Sequence, residues 1–170
     1  MEIRELRENA AKMIVEAVNF ASIAGLNASD CGINLSASLY LNVRDAMFHF
    51  KALCDCADDD MDNILKHYFN LKEHLLRGEK DAVIFQVQAV CDAVYEVMQQ
   101  KGFNDIFRNE EIKQLQFLMH NLKDVVLKLR IEGAKLPNES TFSVLDAWNE
   151  VKTYTIKVVQ ICRERNVPLF

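Results

Sequence analysis

Apolar residues recur every three or four positions along most of this chain, which is the period of an amphipathic helix. The first predicted helix covers residues 2–24 and is followed by Gly25, a common helix stop. Turn-forming residues fill positions 25–34, and a second helix is predicted from about Ser36 to Cys56. Five apolar residues lie within about 40° of one line along this helix and form its predicted core stripe: Leu39, Val43, Ala46, Phe50 and Leu53.

The remaining chain continues the helical period. Gly78 and Gly102 are read as helix stops, and Pro168 ends the last helix. The acidic run at residues 55–60 suits helix capping between the second and third helices, although one long bent helix through this region fits equally well. Residues 103–109 form a connector with a short helical turn. The other predicted helices cover residues 59–77, 79–101, 110–132 and 141–165, with a loop at residues 136–140.

Composition agrees with a helical fold. Half of the 170 residues are hydrophobic, and the chain contains five glycines and two prolines, too few for the frequent turns of a β-sandwich. No internal repeat or long linker divides the sequence. We therefore predict an all-α fold, an up-and-down helical bundle of five to six helices, forming a single domain over residues 1–170.

The charge and the absence of apolar segments limit the function classes. The formal net charge of −5 disfavours non-specific binding to a phosphate backbone, which needs an excess of Lys and Arg. No signal-peptide pattern and no stretch of 18 uncharged apolar residues is found, so a cytoplasmic protein without a membrane contact is expected. Five cysteines without a scaffold spacing are expected to be reduced thiols. No cofactor-binding or metal-binding motif is recognised.

The second predicted helix is unusual because it is apolar on two faces. Leu41 and Phe48 lie opposite its core stripe, with Arg44 on one side of them and Asp45 and His49 on the other. A helix with two apolar faces is either central in its bundle or shared with a second subunit. The second case predicts a homodimer through this helix, with Leu41 and Phe48 in the interface.

The sequence R-D-A-M-F-H, Arg44–His49, resembles the signature of the HEPN superfamily. The resemblance implies a small all-α bundle that dimerises, so that two motifs meet in a cleft and cleave RNA without a metal or cofactor. It implies that Arg44 clamps the scissile phosphate, that His49 moves protons, and that Asp45 orients one of these side chains. It further implies a toxin–antitoxin or phage-defence role with a protein partner such as an antitoxin, or an inactive RNA-binding relative.

Other readings of the same residues stay open. Arg44 can be a surface residue paired with a carboxylate, and His49 a partly buried histidine at the core boundary. The chain is then a non-catalytic acidic bundle that serves as a protein-interaction or regulatory module. His67 and His74 are seven residues apart and are expected to be solvated and too distant to share a metal. His120 is expected to pack against a neighbouring helix.

Overall fold

A computed structural model describes residues 2–30, 36–132 and 143–170. Within these ranges the chain is entirely helical apart from short turns and terminal residues, and contains no strand, which confirms the all-α prediction. The predicted loop at residues 136–140 lies outside the described ranges. None of the described helices is long and apolar enough to cross a membrane. The helices are α1 Ile3–Asp30, α2 Ala37–Asp55, α3 Met61–Gln99, α4 Phe103–Ile106, α5 Asn109–Glu132 and α6 Val144–Glu164.

The described residues group into two compact units. The first contains residues 2–25 and 36–82, and the second contains residues 26–30, 83–132 and 143–170. The helices α1 and α3 each contribute to both units. The prediction of a single domain over residues 1–170 stays a prediction.

Apolar faces of α1, α2 and α3 build the core of the first unit. The predicted core stripe of α2 is confirmed, since Leu39, Ala46 and Leu53 are fully buried and Val43 and Phe50 are half-buried. Each fully buried leucine stabilises the fold by roughly 1.5–3 kcal/mol relative to an exposed one. The buried cluster joins the three helices through Leu6, Ala10, Ala17, Ala46, Leu53, Ile64, Leu71 and Leu75.

The acidic run separates α2 from α3, so the two are distinct helices and not one bent helix. A carboxylate oxygen of Asp60 lies 3.4 Å from the backbone nitrogen of Asn63, in the manner of an N-cap. Arg7 of α1 fixes the other side of the junction. Its guanidinium donates to the backbone oxygens of Leu53 at 3.3 Å and Cys56 at 2.8 Å, which lie where α2 leaves its last carbonyls unpaired.

The predicted helix stops at Gly25 and Gly78 are wrong. The helix α1 continues to Asp30, and α3 runs without interruption through 39 residues. A glycine inside a helix costs about 1 kcal/mol relative to alanine, which burial of neighbouring residues can offset. Gly78 itself is buried against α2, and a Cβ there would lie 2.8 Å from the Cβ of Asn42. Close packing of two helices, and not chain reversal, therefore requires this glycine.

In the second unit, α5 and α6 pack against each other. Glu111 near the start of α5 accepts from the Arg165 guanidinium, whose Nε lies 3.0 Å from both carboxylate oxygens. Ser143 and Asp146 form a capping box at the start of α6. The helix ends at Glu164, before the predicted residue 165 and before Pro168. Asn166 adopts a left-handed conformation with φ of 56°, as residues just beyond a helix end often do.

Candidate functional site

The candidate site lies in the first unit, on the face of α2 turned away from its core stripe. Arg44 is well exposed, and its guanidinium donates from Nε at 2.9 Å and from Nη2 at 2.7 Å to Oδ1 of Asp45. Asp45 is thus bound by its neighbour in sequence, which agrees with the open alternative in which Arg44 is a surface residue paired with a carboxylate. An exposed ion pair of this kind contributes little to stability and can exchange partners.

Three imidazoles meet where α2 faces the first half of α3, and we call His49, His67 and His74 the histidine cluster. The Nδ1 atoms of His49 and His67 lie 3.0 Å apart. The His74 ring stacks on His49 with centroids 5.4 Å apart and planes 23° from parallel. The Nδ1 atom of His74 lies 3.2 Å from Oδ1 of Asn42. The expectation that His67 and His74 are solvated is wrong, because both are half-buried in these contacts.

Antiparallel pairing of α2 with α3 creates the cluster. Along α2 the contacting residue number rises by four and then by seven, while its partner on α3 falls by seven each time, so successive contacts are one or two helical turns apart. A polar seam thus flanks the apolar core of the unit. Three of its cross-helix contacts join polar atoms: Ser38 Oγ to Asp81 Oδ2 at 2.6 Å, Asn42 Oδ1 to His74 Nδ1 at 3.2 Å, and His49 Nδ1 to His67 Nδ1 at 3.0 Å.

The surroundings of His49 favour its neutral form. Burial is the main cause of its lowered pKa, and the positive charge of protonated His67, His74 and Lys66 adds to the effect, while Asp45 opposes it. A neutral imidazole carries one N–H and one free lone pair. The short Nδ1–Nδ1 contact therefore requires that one ring of the pair donates a proton and the other accepts it.

The predicted interface residues are exposed. Leu41 exposes 49% and Phe48 exposes 67% of the surface available to the residue, although both lie on a helix whose other face is core. Phe48 also contacts the histidine cluster, because its ring meets His49 edge to face with centroids 5.7 Å apart. The ring of Phe48 therefore lies beside His49, the residue to which the HEPN resemblance assigns proton transfer.

A further titratable group in the same unit was missed by sequence reasoning. The Glu79 carboxyl is half-buried on α3, and burial, followed by repulsion from Glu16, raises its pKa to about 7. In the sequence Glu79 follows a presumed helix stop and looks like an exposed helix-start residue. Its environment arises because α3 continues through Gly78 and carries Glu79 toward α1.

Two further observations concern the polar side chains of the described ranges. His120 is exposed on α5 with Nε2 3.3 Å from Oδ2 of Asp124, so the expectation that it packs against a neighbouring helix is wrong. Throughout the described ranges, no group of three or more His, Cys, Asp or Glu side chains is arranged to hold a metal ion.

No family model, no curated protein and no solved structure matches this chain.

Proposed function

We propose that this chain is a HEPN-like up-and-down helical bundle that cleaves RNA in the cytoplasm without a metal ion or cofactor. The observation that carries the proposal is the 3.0 Å contact between the imidazoles of His49 and His67, formed on the helix that also carries the motif residues Arg44 and Asp45. Imidazole gains and loses protons near neutral pH, and two adjacent imidazoles are suited to the two proton transfers of phosphodiester cleavage.

In the proposed reaction, His49 accepts the proton of a ribose 2′-hydroxyl, and the 2′ oxygen attacks the adjacent phosphorus. The bond between phosphorus and the 5′ oxygen breaks, and a protonated imidazole supplies the leaving oxygen with its proton. The products are a 2′,3′-cyclic phosphate and a free 5′-hydroxyl. The lowered pKa of His49 supports its role as the base, because the ring is neutral at pH 7. His67 is the adjacent imidazole with which it can exchange a proton.

Arg44 is the proposed phosphate ligand. Phosphate oxygens would replace the Asp45 carboxylate on the guanidinium, which is exposed and bonded through two nitrogens. Arg44 and His49 are five residues apart and thus about 140° apart around α2. A single phosphate next to His49 is therefore poorly placed for Arg44 of the same chain. We propose that Arg44 of one copy and His49 of a second copy serve one phosphate.

The exposed residues Leu41 and Phe48 support this arrangement. They lie between Arg44 and His49 on the circumference of α2, so a two-fold interface through them brings motif residues of both copies to one place. Burying these two side chains between copies also removes apolar surface from water, which stabilises the dimer by about 25 cal/mol for each Å² buried. The proposed homodimer accordingly forms through α2.

The central experiment incubates purified protein with RNA in EDTA. Wild-type protein is expected to release fragments with cyclic-phosphate ends, and His49→Ala is expected to lower the rate at least about 100-fold. His120→Ala is the matched control, because it removes an exposed imidazole on another helix. Absence of cleavage at high protein concentration, or equal rates for wild type and His49→Ala, contradicts the ribonuclease proposal.

Mixing two inactive variants tests the sharing of residues between copies. Arg44→Ala and His49→Ala are each expected to be inactive as homodimers. After subunit exchange at equal amounts, half of the dimers hold one chain of each kind, and about one quarter of all sites become intact. Recovery of that fraction of activity supports catalysis across the dimer, whereas no recovery contradicts a site shared between the two copies.

A second function is favoured by the exposure of Leu41 and Phe48. A non-catalytic protein-interaction module would use this apolar surface of α2 to bind a partner such as an antitoxin. An inactive RNA-binding relative would retain Arg44 but cleave nothing. A protein that cleaves no RNA, yet loses its own association in Phe48→Asp, supports the interaction module. RNA binding lost in Arg44→Ala supports the RNA-binding relative.

A further inference from the structure

The geometry of the histidine cluster points to a second kind of ligand. We propose that His49 and His67 form a binding site for a transition-metal ion of the Zn²⁺ class, with both Nδ1 atoms as ligands and solvent completing the coordination. The proposal stands on the contact between these two rings and does not require that the chain cleaves RNA.

Distance supports the proposal. Zinc binds imidazole nitrogen at about 2.0–2.1 Å, so two such ligands in a tetrahedral site lie about 3.4 Å apart. The Nδ1 atoms of His49 and His67 already face each other at 3.0 Å. A small rotation of either ring opens this gap by the few tenths of an ångström needed. Two ligands from separate helices are thus held close together before any ion arrives, which reduces the entropy lost on binding.

Proton accounting is balanced. In the free protein the two Nδ1 atoms share one proton, which belongs to whichever ring is the donor. When the ion takes its place, that proton moves from Nδ1 to Nε2 of the same ring, and the other ring already carries its proton on Nε2. Both rings stay neutral, and no oxidant, reductant or further reagent is required. Burial keeps His49 neutral at pH 7, so protons compete weakly with the ion.

The neighbours of the pair position it. His74 stacks on His49, and its own Nδ1 is fixed by Asn42, which restrains the plane of the His49 ring without adding a third converging nitrogen. Two charged side chains act on His49 with opposite sign, since Asp45 favours a cation and Lys66 disfavours one. Charges of both signs thus act on the pair, and the imidazole nitrogens supply the selectivity among metal ions.

Ligand chemistry decides which ions fit. Neutral imidazoles bind Zn²⁺, Cu²⁺ and Ni²⁺, with Cu²⁺ the tightest for a given site, whereas Mg²⁺ and Ca²⁺ require oxygen ligands. With two protein ligands the site is open, so an ion bound here keeps exchangeable positions. Such an ion would occupy Nδ1 of His49 and block any proton exchange with His67.

Isothermal titration of the full chain with Zn²⁺ tests the site. Wild type is expected to bind one ion per chain at the cluster, and His49→Gln and His67→Gln are each expected to weaken binding at least about tenfold. His120→Gln is the matched control for an exposed imidazole, and Cys54→Ser/Cys56→Ser is the control for nearby thiols. Both controls are expected to leave the affinity unchanged, and Mg²⁺ is expected to give no heat.

NMR spectroscopy of the wild-type protein tests the same site without depending on how well a variant folds. In wild-type protein, Zn²⁺ is expected to shift the imidazole NMR signals of His49 and His67 and to leave those of His120 in place. Binding that persists in His67→Gln, or that vanishes in Cys54→Ser/Cys56→Ser, overturns the proposal, as does the absence of any shift of the His49 signal. RNA cleavage in EDTA is a separate measurement, so failure of one proposal leaves the other testable.

Discussion

Asn42 and Gly78 lie in close contact where α2 packs against α3. A Cβ atom at position 78 would lie 2.8 Å from the Cβ of Asn42 and 3.3 Å from the backbone oxygen of Leu39. The same approach allows Asn42 to reach His74 and thereby fixes one end of the histidine cluster. Packing at Gly78 and geometry at the candidate site are thus parts of one helix–helix contact.

Gly78→Ala is expected to destabilise the protein by up to about 2 kcal/mol. Alanine gains about 1 kcal/mol of helix propensity, but the added carbon meets a Cβ and a backbone oxygen that move little, and overpacking costs typically 1–3 kcal/mol. Denaturant unfolding measures the change. Lys72→Ala, at an exposed position of the same helix, is the control and should change stability by no more than about 0.5 kcal/mol. A more stable Gly78→Ala variant would refute the close contact.

Glu79 is expected to make stability fall as pH rises. Its pKa is about 7 in the folded protein against an ordinary 4.5, so the folded state retains a proton that the unfolded state has lost. The stabilisation is fully present below pH 4.5 and is lost as pH rises through 7. Glu79→Gln should therefore be more stable than wild type at about pH 8.5, by at most about 3 kcal/mol, and show little advantage at about pH 4.

The control for that experiment is Glu73→Gln, which neutralises an exposed carboxylate on the same helix. Its difference from wild type is expected to be equal at both pH values. If Glu79→Gln shows the same constant difference, the buried environment assigned to this carboxyl is wrong.

The histidine cluster is expected to make the protein acid-sensitive. The pKa of His49 is lowered by burial and by its imidazole neighbours, so the unfolded chain takes up a proton more readily. The stability that His49 contributes is present above its ordinary pKa of 6.5 and is lost as pH falls through its folded value. His49→Gln should therefore lose less stability than wild type between about pH 7.5 and pH 5.

Because Glu79 titrates over part of the same range with the opposite sign, the His49 comparison is best made in the Glu79→Gln background. His120→Gln serves as the control for removing an exposed imidazole from another helix. Identical pH profiles for His49→Gln and the parent would show that the cluster does not disfavour a protonated ring.

Replacing Leu41 and Phe48 by aspartate is expected to dissociate the proposed homodimer. Both side chains are exposed in the single chain, so each change should alter its stability by no more than about 0.5 kcal/mol while placing a charge in the interface. Phe69→Asp/Leu76→Asp is a matched control, with exposed apolar residues at the same spacing of seven on α3. Sedimentation equilibrium should give monomer for the first variant and dimer for the control. A monomeric wild-type protein would contradict the dimer.

Loss of the ion pair between Glu111 and Arg165 is expected to destabilise the second unit. The pair joins the start of α5 to the residue after α6, and the bond from Arg165 lowers the pKa of Glu111. The stability it contributes is present above pH 4.5 and is lost as pH falls further. Arg165→Ala should lower the thermal midpoint at pH 7 more than Arg163→Ala, an exposed control, and the difference should shrink below pH 4. A constant difference would contradict a carboxylate-dependent bond.

Local periodicity alone predicted much of the fold. The core stripe of α2, the bounds of α5 and the short helical turn before it follow from the spacing of apolar residues and from turn-forming residues nearby in sequence. The predicted stop at Gly102 is confirmed, because its φ of 88° is the left-handed conformation that glycine adopts readily. Gly78 is also a glycine, but it is required for a different reason. It packs closely against Asn42, which lies 36 residues earlier in the chain.

The sequence by itself determined that helices form here and which face of each is apolar, because side-chain direction along a helix depends on neighbours within two turns. Arg44 and Asp45, adjacent in sequence, could be paired from the sequence as well. Only the tertiary structure decided that His49 meets His67 and that Glu79 is half-buried. Those contacts depend on the register of α2 against α3. Long-range packing sets this register, and the local spacing of apolar residues does not reveal it.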